Sequence, residues 1–132
     1  MTQLINDTGF VADDLATTFT PLGDAANDIA AIDVPADADP TTIPLNADVI
    51  RIAFPAAADG RGFTIARVLR LRGFTGRLRA YGTVISDQYA MARRSGFDEV
   101  EIPDDLATRQ PEAEWVFRAD WKEHHYQARL RG

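Results

Sequence analysis

Residues 48–102 constrain the fold more than any other stretch, because two strand–helix units follow one another there with a third strand behind them. Val49-Ile50-Arg51-Ile52-Ala53-Phe54 is a β-branched, apolar run that Pro55 ends, the pattern of a buried strand. Ala56 to Asp59 then form a loop, and Gly62 to Arg72 read as a helix closed by Gly73. Within that helix Ile65, Ala66, Val68 and Leu69 mark an apolar side, with Arg67, Arg70 and Phe63 expected on the other. Gly76 turns the chain into a second strand, Arg77 to Tyr81. Ser86 or Asp87 suits the N-cap of a helix running to Arg94, with Gly96 at its far end. Phe97 to Ile102 give a third strand ended by Pro103. Such a βαβαβ unit takes parallel strands and right-handed crossovers. The expected class is α/β: a small three-layer or half-barrel-like parallel sheet.

The flanks are less regular. A length of 132 residues suits one domain, with an acidic, loop-rich part at 1–46, the core at 47–103 and a helix and tail at 104–132. Leu4 to Asn6 and Gly9 to Val11 surround an Asp7-Thr8 turn and predict a small hairpin. Pro21, Pro35, Pro40 and Pro44 break any long helix between 13 and 46, where Ala30 to Val34 is a candidate strand. At the far end Pro111, Glu112 and Glu114 open a helix expected to span 111–126. Its Trp115, Val116, Phe117, Trp121 and Tyr126 cover more than one side. One side is expected on the sheet and the other on a second copy, giving a symmetric homodimer.

Charge is strongly segregated. Residues 1–50 hold nine Asp and no Lys, Arg or Glu, while residues 51–97 hold nine Arg against Asp59 and Asp87. The acidic flanks are therefore expected to fold over the basic middle and neutralise it. All but one of the 14 basic residues are Arg, which favours planar contacts with carboxylate, phosphate or sulfur oxyanions. Overall acidity and the single Lys argue against nucleic acid as a partner.

In parallel α/β sheets ligands collect at the carboxyl ends of the strands. Asp59-Gly60-Arg61-Gly62 stands there at a helix start, where backbone N–H groups and a guanidinium can hold an anion. The sequence is neither a P-loop nor a dinucleotide fingerprint. Asp87 and Gln88 follow the second strand, and Arg67 and Arg79 complete the candidate anion- or partner-binding set. With no cysteine, thiolate chemistry and Cys-held metals are excluded. His124 and His125 are adjacent, so a rigid helix cannot aim both at one metal, and no metal or cofactor is expected. The absence of an apolar run long enough to span a membrane, and of a leader pattern, predicts a cytoplasmic location.

Phe54, Asp59-Gly60-Arg61-Gly62, Ala66-Arg67, Leu69-Arg70, Gly76, Leu78-Arg79-Ala80, Gly82, Val84, Asp87-Gln88 and Arg94 to Asp98 together resemble a bacterial family catalogued as domain of unknown function 934. Leu4-Ile5, Gly9 to Val11 and His125 to Gln127 extend the resemblance along the chain. It implies a setting in assimilatory sulfite and sulfate reduction, and hence cysteine biosynthesis, with sulfite reductase as a partner, but brings no settled catalytic residue. Residues 20–46 look shorter than the family's counterpart, and Ser95 stands where many members carry Cys. Lacking flavin, nicotinamide or haem signatures, the chain is expected to be a non-redox accessory protein that binds an anion or a partner enzyme through its Arg-rich edge. The alternative is a small enzyme for an anionic metabolite, with Asp59 or Asp87 as acid or base and Arg61 or Arg79 holding the oxyanion.

Overall fold

The apolar run at 49–54 becomes the third-from-last strand of a seven-stranded sheet in the computed structural model, which describes residues 1–15, 18–24 and 30–119. The strands are β1 (Thr2–Asn6), β2 (Gly9–Val11), β3 (Thr20–Pro21), β4 (Ala31–Val34), β5 (Val49–Phe54), β6 (Arg77–Gly82) and β7 (Glu99–Pro103). Their spatial order is β2-β1-β7-β6-β5-β4-β3. From β3 to β7 every pair is parallel, whereas β1 runs antiparallel to both β7 and β2. The class is α/β, and the βαβαβ core is in place with two parallel strands added on one side and the predicted hairpin on the other.

Helix α1 (Arg61–Leu71) joins β5 to β6 and α2 (Tyr89–Ser95) joins β6 to β7. Both crossovers step the same way along the sheet, so both helices pack on one face, the singly wound arrangement of a half-barrel. That face carries Ile50, Ile52, Phe54, Leu78, Ala80, Val100 and Ile102, which form one core with Ile65, Ala66, Leu69 and Ala92 of the helices. Burying a side chain such as Leu69 contributes about 2 kcal/mol. Phe63 belongs to this core too, contrary to its expected place beside Arg67 and Arg70. It is 8% exposed and meets the Phe54 ring edge-on at 5.0 Å, because the first turn of α1 lies across the end of β5.

Both helices stop where glycine allows a left-handed turn: Gly73 has φ +102° and Gly96 φ +118°. The α1 and α2 turns are then knitted together by Arg70, which donates to the carbonyls of Phe74, Gly76 and Gly96. Residues 86–88 form a 3₁₀ turn ahead of α2, so neither Ser86 nor Asp87 is the N-cap of that helix.

After β7 come α3 (Asp104–Arg109) and α4 (Glu112–Phe117). The helix expected over 111–126 starts as predicted but ends at Phe117, with its C-cap at Arg118, and its Trp115 is fully buried against Tyr89 at 6.0 Å while Phe117 is exposed. Trp121 and Tyr126 lie outside the described residues. The free edge of β2 is closed by α4, whose Glu112 accepts the Phe10 N–H at 2.9 Å.

Candidate binding groove at the carboxyl edge

The other face of the sheet is ionic. Alternation along the strands places Asp33, Arg51, Arg77, Arg79, Glu99 and Glu101 away from the helices, and the parallel register sets Asp33 beside Arg51 and Arg79 beside Glu99. Arg51 forks onto Asp33 at 2.5 and 2.8 Å and reaches Glu101 at 3.1 Å. Arg79, with 0% of its side chain exposed, binds Glu99 at 2.6 Å, Glu101 at 2.8 Å and Asp13 at 2.9 Å. Arg77 adds Glu99 and Asp14. The acidic flanks therefore do fold onto the basic middle. Burial alone would lower the Arg79 guanidinium, but its bonds to Asp13, Glu101 and Glu99 hold it above the ordinary arginine value. Arg51 is also stacked between the rings of Phe19 and Tyr81, 4.0 and 4.1 Å from their centroids.

At the carboxyl ends of the parallel strands the polar groups are fewer and mutually occupied. The Asp59 carboxylate accepts the Arg61 backbone N–H at 3.1 Å and its guanidinium at 2.6 Å. These bonds hold the Asp59 carboxyl down at about 2, so it is ionised at any physiological pH. Gly62 lies against the Phe54 ring, where a side chain would collide. Gln88 stitches the two edge loops together, donating to the Ala57 carbonyl at 2.6 Å and accepting the Ile85 N–H at 3.0 Å. Asp87 pairs with Arg118 at 2.6 Å.

Three adjoining clefts open along this edge. The largest, about 490 Å³, lies among Leu22, Val34, Pro35, Ala38, Ala53 and Tyr81, with Asp33 at its side. Through Pro35 and Ala53 it meets a cleft of about 330 Å³ bearing Asp37 and Arg61. A third, of about 390 Å³, continues over Pro40, Thr64 and Ile65 on the other side of Arg61. Volumes of this size accommodate a small ligand or a protein side chain.

Of the residues singled out in the sequence, Asp59, Gly60, Arg61 and Gly62 stand together at this edge, and Gln88 braces it. Asp87 sits on the neighbouring loop. Arg67 is exposed on the outer side of α1, and Arg79 is interior, in mid-strand on the ionic face. The cleft residues Leu22, Val34, Ala53 and Tyr81 escaped the sequence reading, which followed charge. Their signal was positional: each lies at or next to the carboxyl end of a parallel strand.

Fold and edge define the class, a singly wound α/β protein with an open, largely apolar groove at its carboxyl edge. The chain belongs to a bacterial family of proteins of unknown function, DUF934, whose family model matches residues 28–132. The motif-rich stretch 54–98 falls within that match, and the N-terminal hairpin precedes it. Nothing matches among curated proteins or among solved structures. Among the described residues no helix is long and apolar enough to cross a membrane, and no group of three or more His, Asp or Glu side chains is placed to hold a metal. His124 and His125 lie outside the described residues.

Proposed function

We propose that this chain is a non-redox accessory protein of assimilatory sulfite and sulfate reduction that works in the cytoplasm by binding, with a partner enzyme, sulfite reductase, as its ligand at the carboxyl edge. The observation that carries binding over catalysis is that both candidate acid–base groups are already engaged by cations. The Asp59 carboxylate is bonded to Arg61 and Asp87 is paired with Arg118, so neither stands unpaired toward a substrate in the groove. An anion as the ligand has weaker support, because Arg79 is enclosed by three carboxylates and only Arg61 of the proposed holders stands in the groove. The pathway itself comes from the family resemblance.

A deletion strain tests the pathway. It is expected to grow slowly on sulfate and normally on cysteine, and equal growth on both removes the assignment. A homodimer through the exposed Val116 and Phe117 of α4 is part of the same reading. Light scattering at low micromolar concentration checks it, and a mass near the 14.5 kDa of one chain counts against it.

A further inference from the structure

We infer that the groove accepts a basic, apolar segment of a partner protein, with one apolar side chain entering the large cleft and neighbouring Lys or Arg side chains meeting the carboxylates of its rim. This rests on the reading that the chain acts by binding a protein at its carboxyl edge, and it gives that partner a chemistry.

The walls of the cleft are aliphatic and proline carbons, with the Tyr81 ring at one side. An apolar cleft ringed by polar groups is a usual seat of an anchoring side chain at a protein interface. The sign of the ring follows from which charges are already matched. Asp33 is held by Arg51 and Asp59 by Arg61, so both pairs are neutral. Asp37, which lines both smaller clefts, and Asp24, next to Gly23 of the cleft wall, are exposed. Among the described residues neither forms an ion pair, and the cation facing Asp37, Arg61, is already matched by Asp59. The surplus charge around the groove is therefore negative. It comes from the segment 1–50, which supplies nine Asp and no cation. An acidic partner meets like charge there and a basic one meets its complement. A second copy of this chain, carrying a net charge of −6, is a poor occupant for the same reason.

The test is a titration of the ¹⁵N-labelled protein with a short blocked peptide in which leucine is flanked by lysine and arginine. Two controls replace the basic residues by glutamate or the leucine by glycine. Amide shifts are expected at Leu22, Gly23, Val34, Ala36 to Ala38 and Ala53 with the basic peptide only, fading as salt is added. The exposed-site double variant Asp24→Lys/Asp37→Lys, checked for native circular dichroism, is expected to bind about tenfold more weakly. Three outcomes overturn the inference: shifts centred on Arg61 with the acidic peptide, no shifts with any peptide at low millimolar concentration, or groove shifts on dilution alone, which mark a second copy. Capture of purified sulfite reductase separates this surface from the reading beneath it. Capture that survives the double variant retires the surface and keeps the partner. A basic peptide mapping to the groove while wild-type protein captures no sulfite reductase keeps the surface and removes that partner.

Discussion

Ser95 is the residue least suited to its surroundings. Its Oγ is buried at the last turn of α2 with no hydrogen-bond partner among the described residues. An unpaired buried hydroxyl costs roughly 1–3 kcal/mol. Ser95→Ala is expected to stabilise the protein by about 1 kcal/mol in urea unfolding, and a loss of stability would show that the hydroxyl is bonded in solution. Arg79 is the opposite case. Arg79→Ala leaves Glu99 and Glu101 buried without their shared cation and is expected to cost about 3–5 kcal/mol, while Arg67→Ala on the exposed side of α1 changes stability by less than about 0.5 kcal/mol. Sequence reading grouped these two arginines because charge alone does not say which way a side chain points. The distinguishing signal was the alternation in Arg77-Leu78-Arg79-Ala80 matched by Glu99-Val100-Glu101-Ile102, two strands whose charges share a face once they are paired in register.

Elements with local punctuation were legible. The apolar run ended by Pro55 became β5 with the same bounds, and Gly73 and Gly96 ended their helices as expected. What lay beyond sequence was fixed by contacts from far along the chain. Strand β3 has two residues, too few for any periodic signal, and Phe63 turned inward because Phe54 offered it a ring. The junction after β6 gives a test at this scale. Gly82 has φ +121°, and a Cβ there would stand 2.5 Å from the Phe54 carbonyl oxygen, which accepts the Thr83 N–H. Gly82→Ala is expected to destabilise by about 2 kcal/mol and to slacken the edge loops, read as faster amide exchange at Thr83. An unchanged exchange rate would mean that the loops do not depend on this close approach.

At the scale of the whole molecule, the ion-paired face makes stability depend on acid. Burial works to raise the Glu101 carboxyl, but the bonds from Arg79 and Thr2 and the charge of Arg51 hold it below the ordinary glutamate value of 4.5. Asp13 is likewise held below 3.8, chiefly by its bond to Arg79, and Asp59 is held at about 2 by Arg61. Groups lowered on folding add stability that is complete above their ordinary values and disappears as the pH falls through the folded ones. The urea midpoint is thus expected to stay level from neutrality down to about pH 5 and to fall steadily below it. In Asp13→Asn the acid limb should be shallower. A midpoint that rises on acidification would contradict the ionic face as drawn.

The position of β1 has a consequence for the order of events in the cell. Strand β1 is wedged between β2 and β7, and Thr2 bonds Glu101, 99 positions further along the sequence. While the ribosome is still producing the two crossover helices, Leu4 and Ile5 have no strand to lie against except β2, a three-residue neighbour. A hairpin of that size is marginal by itself. Strand β1 therefore waits, apolar and uncommitted, until the chain past Pro103 emerges, because it is β7 that admits β1 to the sheet.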